Sequence, residues 1–315
     1  LARLFGTLVN LMVHLGRFST WIRLSLLDGN QPWISKKDYR KLLNGIKKIM
    51  IGFNRLGLMG RLGNQMFQYA SLRGIAKNNG YNWMIPPPAE DKNYDEWKHH
   101  QLFNCFEMTN LNNLNVQYTD GERPTVQEKD FTFDEELFNN CPKWVDICGF
   151  LQSEKYFKNI EEDIKKDFRF RDDYLIPSKE MIGGLSRPIS LHIRRTDYLE
   201  LDHHNSLGLD YYEEALSKFG DNRTVIIFSD DPAWCKEQKL FDSDRFLVAE
   251  GNSQYIDMCL MTLCVGHIIA NSSFSWWGAW LADSEKVIAP KNWFSGHLEE
   301  QNDTKDLYCP EWEVI

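Results

Sequence analysis

The sequence predicts an α/β protein whose C-terminal half forms a doubly wound parallel sheet. After Pro188, short apolar strands alternate regularly with helical segments, a pattern typical of parallel strands covered by helices. Earlier in the chain, a glycine-rich turn over 60–65 leads from a short strand into a helix. The 315 residues, of which 43% are hydrophobic and 26% charged, suffice to bury a core and have the composition of a globular enzyme.

Residues 1–49 are predicted to be an N-terminal extension to which the pattern assigns no definite role. Residues 4–15 are apolar but contain Thr7, Asn10 and His14, and no uncharged run reaches the ~18 residues of a membrane span. An amphipathic surface helix is one interpretation, and a dispensable extension is the other. We therefore predict a cytoplasmic protein, with peripheral membrane binding as the alternative.

Residues 50–185 are predicted to form the first domain. Its clearest feature is the glycine-rich turn before a helix that ends at Gly80, since backbone N–H groups at a helix N-terminus favour anions or sugar hydroxyls. Asn64 and Gln65 of this turn could instead cap the helix. The other predicted elements are strands over 49–53, 81–85 and 145–150, a helix over 154–168, and a linker over 179–188.

Residues 186–315 are predicted to form the second domain. Ligands of an open parallel sheet bind at the carboxyl ends of its strands, so the residues that follow these strands are the candidate site. The predicted strands are 189–193, 224–228, 245–248, 266–270 and 286–289, and the predicted helices are 211–218, 232–239, 253–264 and 274–282. Polar clusters follow three of the strands: Arg194, Arg195, Thr196 and Asp197; Ser229, Asp230 and Asp231; Asn271, Ser272 and Ser273 before Phe274.

These three clusters suit a nucleotide diphosphate. Arginine makes planar, bidentate contacts to phosphate, so Arg194 and Arg195 are predicted to hold the diphosphate. Ser272 and Ser273 would add donors from a helix N-terminus. A carboxylate such as Asp230 or Asp231 can accept hydrogen bonds from ribose hydroxyls or from the N–H edge of guanine.

Several of these residues also have structural interpretations. Asp197 is expected to orient the arginines rather than to act as an acid or base. His192 lies within a predicted strand, where a structural histidine is the alternative. Asp230 and Asp231 precede Pro232, which is also a helix-start signal, so capping is the alternative for either. The three tryptophans at 276, 277 and 280 are expected to pack in the core.

Charge and cysteine usage exclude several classes of function. The net charge of −9 argues against nucleic acid and anionic membranes as main partners. Seven cysteines without a C-x-x-C pair argue against a disulfide framework and a structural zinc site, and they fit a reducing cytosol. The Asp-x-Asp sequence at 242–244 precedes a strand and so lies at the opposite edge of the sheet, and we predict no required metal.

Four motifs together resemble the α-1,2-fucosyltransferases of glycosyltransferase family 11. They are GRLGNQMFQYA at 60–70, HIRRTDY at 192–198, FSDD at 228–231 and NSSFSWWGAWL at 271–281. The resemblance covers about residues 50–295. Arg61 stands where bacterial members commonly have a second glycine, and an arginine also occurs there in the animal-type pattern.

The resemblance implies a GT-B-like architecture, in which two Rossmann-like domains face a cleft. It implies inverting transfer of L-fucose from GDP-fucose to the 2-hydroxyl of a galactose-terminated glycan, with no metal cofactor. A fucosyltransferase of other linkage or acceptor is one alternative. A catalytically inactive protein that binds a GDP-sugar or a glycan is another. The sequence indicates no oligomeric state.

The resemblance implies that Arg194 and Arg195 contact the diphosphate and that Asp230, Asp231, Ser272 and Ser273 contact the GDP, and the residue patterns above complete the predicted site. The predicted catalytic group is Arg194, Arg195, Asp197 and His192, and the loop expected to face the cleft from the first domain contains Gly60, Gly63, Asn64 and Gln65. The predicted donor-binding set is Arg194, Arg195, Ser229, Asp230, Asp231, Asn271, Ser272, Ser273 and Phe274. No single general base emerges from the candidates near the motif, which are Asp197, His203, His204 and Asp210.

Overall fold

A computed structural model of the protein describes residues 21–23, 33–35, 49–88, 100–111, 115–117, 123–196, 198 and 206–315. Two parallel sheets with accompanying helices face a cleft, which confirms the predicted α/β class and its GT-B-like arrangement. A separate antiparallel pair is formed by β1 (Trp21–Arg23) and β2 (Trp33–Ser35). Within the described ranges, no helix has the length and apolarity needed to cross a membrane.

The first sheet has four parallel strands. They are β3 (Met50–Gly52), β4 (Asn82–Met84), β5 (Thr125–Gln127) and β6 (Asp146–Cys148). Their order across the sheet is β4–β3–β6–β5. The helices of this part of the chain are α1 (Leu62–Asn79), α2 (Leu102–Cys105), α3 (Glu135–Asn139), α4 (Glu161–Asp167) and α5 (Asp172–Ile182).

The second sheet has six parallel strands. They are β7 (Ile189–Ile193), β8 (Val225–Ser229), β9 (Phe246–Val248), β10 (Gly266–Ile268), β11 (Lys286–Ala289) and β12 (Glu313–Val314). The accompanying helices are α6 (Leu209–Ser217), α7 (Pro232–Glu237), α8 (Gln254–Thr262), α9 (Ser273–Leu281) and α10 (His297–Gln301).

The strands of the second sheet run in the order β9–β8–β7–β10–β11–β12. This is the Rossmann order, in which the chain reverses direction across the sheet between its first and fourth strands. The reversal falls between β7 and β10, which pair directly. Ligands of such sheets bind in the crevice at this crossover point, so the fold itself indicates where a site should lie.

Helix α1 packs against β3 and β4 of the first sheet and against α9 of the second half, and it is buried on most of its surface. Its residues from Leu62 to Ala76 are almost all buried, and it ends at Gly80, which adopts the left-handed conformation with φ 66° and ψ 28°. The Tyr81 N–H then donates to the Ala76 carbonyl at 2.8 Å, which satisfies an otherwise unpaired helix end. The predicted end of this helix at Gly80 is therefore confirmed.

Two predicted elements of the first half are corrected. The segment predicted as a helix over 154–168 begins with two 3₁₀ turns, and only α4 is α-helical. Those turns bring the Tyr156 carbonyl against α1 at Gly74, where an added Cβ atom would lie 1.8 Å from it. The predicted linker over 179–188 is also too long, because α5 continues through Pro177 to Ile182. Packing of α5 along α8 outweighs the tendency of Pro177 to break the helix.

One hydrophobic cluster joins the two halves of the chain. The ring of Phe67 on α1 lies 4.5 Å from Trp276 and 5.0 Å from Trp277 of α9, measured between centroids. The ring of Phe157 stacks on Trp277 at 5.3 Å. Trp276, Trp277 and Trp280 are all buried, which confirms their predicted packing role. Because this cluster crosses between the halves, the division at residues 185 and 186 stays a prediction.

Candidate active site

A cavity of about 740 Å³ lies at the carboxyl edge of the second sheet, at the crossover between β7 and β10. Residues 60–64 of the glycine-rich turn line it from the first half of the chain. Residues that follow β7, β8 and β10 line it from the second half. The volume lies within the range of small-molecule sites, and the cavity coincides with the position that the strand order indicates.

The glycine-rich turn contacts the N-terminus of α9 directly. A Cβ atom added to Gly63 would lie 2.6 Å from the carbonyl carbon of Ser273, so only glycine permits this approach. Gly60 has a φ of 79°, which also favours glycine. Asn64 lines the cavity, and its Oδ1 accepts a hydrogen bond from Gln152 Nε2 at 2.7 Å. Three of the predicted loop residues, Gly60, Gly63 and Asn64, therefore lie at the cavity.

Gln65 does not face the cleft, which corrects its predicted position. Its side chain is fully buried, and its Nε2 donates to the Gly60 carbonyl at 3.2 Å. Its Oε1 accepts from the Gln101 N–H at 2.7 Å. The helix begins after Arg61 with no side-chain cap, so neither Asn64 nor Gln65 has the alternative capping role. Gln65 supports the turn from behind.

Arg194 lines the cavity and is held in place from two sides. Its Nη1 lies 3.2 Å from Asp230 Oδ2. Its guanidinium carbon lies 5.6 Å from the centroid of the Tyr198 ring. The side chain is 18% exposed, so its charge acts in a partly desolvated setting, where electrostatic interactions are stronger than in water.

Arg195 points away from the cavity, which corrects the prediction that both arginines hold one diphosphate. Its guanidinium carbon lies 3.9 Å from the centroid of the Trp234 ring. Its Nε lies 3.4 Å from Asp231 Oδ2. Successive residues of an extended chain point to opposite sides, so two adjacent arginines after a strand diverge.

Asp230 lines the cavity and organises the loop after β7. Its carboxylate accepts from the Arg195 N–H at 2.9 Å, the Thr196 N–H at 3.2 Å and the Thr196 hydroxyl at 2.6 Å. Burial acts to raise the pKa of Asp230, but the Thr196 hydroxyl and Arg194 outweigh it, so the pKa lies below its usual value. Asp230 is therefore an ionised partner of Arg194.

Asp231 caps a helix, so the structural alternative applies to it. Its Oδ1 accepts from the Trp234 N–H at 3.2 Å at the start of α7. It points with Arg195 away from the cavity, which corrects its predicted donor-binding role. Ser229, in contrast, lines the cavity, and its hydroxyl accepts from the Asp231 N–H at 3.0 Å.

The segment after β10 places its predicted residues at the cavity. Ser272 caps α9, and its hydroxyl accepts from the Phe274 N–H at 3.3 Å. Asn271 is buried and donates from Nδ2 to the Trp293 carbonyl at 3.1 Å. Ser273 is the first residue of α9 and also lines the cavity. The positive end of the α9 dipole therefore faces the cavity, a setting that favours an anion.

His192 lines the cavity as a neutral imidazole. It is buried, its Nδ1 lies 2.8 Å from the Ser275 hydroxyl, and its ring centroid lies 5.7 Å from that of Phe274. Burial, followed by the nearby Arg194 charge, lowers the pKa of His192 to about 3. The ring is therefore uncharged at neutral pH, with one nitrogen as a donor and the other as an acceptor, and hydrogen bonding is the chemistry available to it.

Of the base candidates near the arginine motif, the structure describes Asp210. Asp197, His203 and His204 lie outside the residues that the structure describes. Asp210 is exposed in the first turn of α6 and does not line the cavity.

Asp257 is a cavity residue that the sequence analysis missed. It lies in the first turn of α8, and its Oδ1 accepts from Asn252 Nδ2 at 3.0 Å. Burial raises its pKa. Of the described residues that line the cavity, the carboxylates are Asp230 and Asp257. A single acid in a first helical turn is an ordinary helix-start pattern, so the sequence offered no signal for it.

Metal-binding groups lie elsewhere in the described part of the chain. The residues 242–244 precede β9 at the opposite edge of the sheet, as predicted. Glu154, Cys309 and Glu311 have ligand atoms within 4.8 Å of one another. The Glu154 carboxylate already accepts from Lys158 Nζ and from Trp280 Nε1, each at 3.1 Å, and none of the three residues lines the cavity.

An open parallel sheet of this order binds nucleotides in the crevice at its crossover point. The cavity lies in this crevice, and Arg194 with the N-terminus of α9 at its wall would suit the diphosphate of a nucleotide-activated sugar, the donor of a glycosyltransferase. The sequence assigns it further: the profile of Glycosyl transferase family 11 matches residues 21–315, and the chain belongs to this family. The match includes residues 21–49, which corrects the expectation that the resemblance begins near residue 50.

Individual relatives agree with this assignment. An alpha-1,2-colitosyltransferase of Escherichia coli is 33% identical over 291 residues, covering 81% of this chain and 95% of the relative. Galactoside alpha-(1,2)-fucosyltransferase 2 of Bos taurus is 28% identical over 256 residues, covering 75% and 71%. Among solved structures, POFUT1 in complex with GDP has a TM-score of 0.48 at 14% identity, covering 75% and 95%.

Proposed function

We propose that this protein transfers L-fucose from GDP-fucose to the 2-hydroxyl of a terminal galactoside, with inversion at the fucosyl anomeric carbon. The observation that carries the proposal is the position of Arg194, which lines the cavity at the sheet crossover beside the N-terminus of α9. The name of the bovine relative, a galactoside alpha-(1,2)-fucosyltransferase, supports the sugar, the acceptor and the linkage.

Arg194 would bind the diphosphate and stabilise the charge that grows on it. The oxygen of an acceptor hydroxyl bonds to the anomeric carbon as the bond between that carbon and GDP breaks, through an oxocarbenium-like transition state, and the hydroxyl proton is released to water. Asp230 holds Arg194 in place before the reaction, so the arginine needs little reorganisation. Preorganised donors of this kind contribute about 2.7–4 kcal/mol, or roughly 10²–10³ in rate.

Asp257 is the carboxylate best placed to recognise guanine. Asp230 is engaged by the loop after β7 and Asp231 caps α7, so neither keeps the role that the sequence suggested. Asp257 lines the cavity beyond β9, and the raised pKa reflects the cost of burying its charge. The N–H edge of guanine would supply donors that offset this cost.

We also propose that the transfer needs no metal ion. Arg194 and the N-terminus of α9 supply positive charge where the diphosphate would lie. Both cavity carboxylates already accept hydrogen bonds from protein groups, and Asp230 is paired with Arg194. The two groups together would stabilise the leaving group, which is the task that a divalent cation performs in other transferases.

A second candidate is transfer of colitose in place of fucose. The observation in its favour is the 33% identity to an alpha-1,2-colitosyltransferase of Escherichia coli. Both candidates use the same site and the same bond-forming step, and they differ in the sugar that the cavity accepts. Donor specificity therefore decides between them.

The purified protein should be incubated with GDP-fucose and a panel of oligosaccharides that end in galactose, and the product linkage read by NMR. We expect an α-1,2-linked fucosyl product, formed equally with and without EDTA. A parallel reaction with GDP-colitose tests the second candidate. Another linkage would reject the proposed acceptor position, and binding of GDP without any transfer would indicate an inactive binding protein. Activity lost in EDTA and restored by manganese would reject the metal-free mechanism.

A further inference from the structure

The cavity has two chemically different ends. The strand order places β9 and β11 on opposite sides of β8, β7 and β10. Neighbouring strands lie about 4.8 Å apart, so β9 and β11 are separated by roughly 19 Å across the sheet. Residues that line the cavity after β9 and after β11 therefore stand at opposite ends of it.

The charged side chains that line the cavity from the second half are those of Arg194, Asp230 and Asp257, and Arg61 lines it from the first half. Asp230 follows β8, Arg194 follows β7, and Asp257 lies in the first turn of α8, the helix that connects β9 to β10. In the proposed donor complex, Asp257 contacts guanine and Arg194 contacts the diphosphate, while Asp230 holds Arg194 in place. The fucosyl group would then lie on the far side of Arg194, toward β10 and β11.

The end beyond β11 is aromatic. Phe294 lines it from the second half of the chain, and Phe131 and Phe150 line it from the first half. The rings of Phe131 and Phe150 are nearly parallel at 16°, with centroids 6.0 Å apart. The ring of Phe131 meets that of Phe294 nearly edge-on at 65°, with centroids 4.8 Å apart. We call these three residues the aromatic wall.

We propose that the aromatic wall binds the terminal galactoside of the acceptor, with the C–H face of the sugar packed against the rings. In an inverting transfer the acceptor approaches the anomeric carbon from the side opposite the departing diphosphate. Arg194 marks the diphosphate side, so the acceptor enters from the end beyond β11, where the aromatic wall lies. The inference rests on the proposed function, because it uses the direction of the proposed donor.

The backbone beneath Phe150 is held firmly, which suits a preformed binding surface. Glu128 accepts from the Phe150 N–H at 2.6 Å and from the Leu151 N–H at 2.8 Å. Leu151 has a φ of 52°, a conformation that a side chain adopts only when its surroundings impose it. The next residue, Gln152, bonds Asn64 of the glycine-rich turn. Glu128 is thus a positioning residue that links the aromatic wall to the donor side of the cavity.

The test is galactoside affinity, measured by ligand-observed NMR titration of methyl β-galactoside with the full chain saturated by GDP. The variants are Phe150→Leu and Phe131→Leu, which remove an aromatic face but keep an apolar side chain, and Phe150→Tyr, which keeps the ring. Tyr255→Leu is the matched control, since Tyr255 lines a separate cavity of about 760 Å³ at α8. The affinity of every variant for GDP, measured by calorimetry, reports whether the fold and the donor site are intact.

We expect both leucine variants to bind galactoside about tenfold more weakly than the wild type, while Phe150→Tyr and Tyr255→Leu stay within threefold. GDP affinity should be unchanged in all four. Wild-type galactoside affinity in both leucine variants would overturn the inference, as would a loss confined to Tyr255→Leu. Weaker binding of GDP-fucose with normal binding of galactoside would assign the aromatic wall to the donor sugar instead. An absence of galactoside binding to the wild type would also reject the inference.

These outcomes separate the inference from the proposed function. A wild-type protein that binds galactoside through the aromatic wall but forms no fucosylated product rejects the function and keeps the inference. A protein that forms the product, while both leucine variants bind galactoside normally, keeps the function and rejects the inference.

Discussion

Arg195 stacks on Trp234, with its guanidinium carbon 3.9 Å from the centroid of the indole ring and directed away from the cavity that Arg194 lines. Two adjacent arginines therefore have different tasks. Arg194 meets the proposed diphosphate. Arg195 joins the loop after β7 to the start of α7 through Trp234 and Asp231.

We expect Arg194→Ala to lower the rate of fucosyl transfer by roughly 10²–10³, because it removes a preorganised charge from the leaving group. Arg195→Ala is the matched control: its rate should fall less than tenfold, with a loss of about 1 kcal/mol in unfolding free energy from the stacked pair. Initial rates at saturating GDP-fucose and urea unfolding measure the two effects. Equal losses of rate in both variants would contradict the division of tasks.

The proposed contact between Asp257 and guanine predicts a change in nucleotide selectivity. Asp257→Asn should weaken GDP binding by about 10- to 100-fold, since the amide replaces one carboxylate oxygen with a donor. IDP lacks the exocyclic amino group of GDP, and its affinity should fall less. Calorimetric titration of both nucleotides measures the difference. Asp210→Asn, an exposed acid of α6 outside the cavity, should change neither affinity, and equal weakening of GDP and IDP by Asp257→Asn would reject the contact.

The close approach of Gly63 to Ser273 predicts that the cavity forms properly only when residue 63 has no side chain. In Gly63→Ala the new Cβ atom would meet backbone atoms of Ser273 and Phe274 at 2.6 to 2.8 Å, so α1 and α9 must separate. We expect a fall of about 1–3 kcal/mol in unfolding free energy, together with weaker GDP binding. Thermal unfolding and calorimetry would show both. Gly184→Ala, where nothing lies within 4 Å of the new atom, should be nearly neutral.

The raised pKa of Glu128 predicts that the stability of the protein depends on pH. Burial is the main cause that raises its pKa from 4.5 to about 7, against the opposing hydrogen bonds from the Phe150 and Leu151 N–H groups. The folded protein therefore keeps this proton between pH 4.5 and 7, where the unfolded chain has lost it. The contribution of Glu128 to stability is present below pH 4.5 and is lost as pH rises to about 7, by roughly 3 kcal/mol in total.

Urea unfolding of the wild type and Glu128→Gln at pH 5 and pH 8 isolates this effect. The variant cannot ionise, so the fall in unfolding free energy between the two pH values should be smaller in Glu128→Gln than in the wild type. Other buried acids contribute equally to both proteins and cancel in the comparison. The same fall in both would show that Glu128 has an ordinary pKa.

Much of the second sheet could be predicted from the sequence. Strand β7 has the predicted bounds, residues 189–193, because a buried run of five residues that ends at charged side chains leaves little choice of where the strand begins and ends. The polar clusters that follow β7, β8 and β10 reach the cavity because parallel strands end at the same edge of the sheet. In contrast, β5 and β12 are three and two residues long, too short for a periodic pattern.

The parts of the site that could not be predicted depend on details beyond strand order. Adjacent side chains of an extended chain diverge, but which of Arg194 and Arg195 faces the cavity depends on their tertiary contacts with Asp230 and Trp234. The side chain of Gln65 lies outside the cavity because it forms hydrogen bonds with Gly60 and with the distant Gln101. Asp257 reaches the cavity only because α8 begins close to the strand ends. Each of these contacts is tertiary, and local pattern carries no information about it.

The cluster that packs Phe67 and Phe157 against the tryptophans of α9 has a consequence for motion. Hinged opening of the two halves would pull these rings apart and expose them to water, and a large hydrophobic interface of this kind resists such movement. The cleft therefore behaves as a fixed frame. Exchange of substrate and product is therefore expected to proceed without a hinged opening of the two halves.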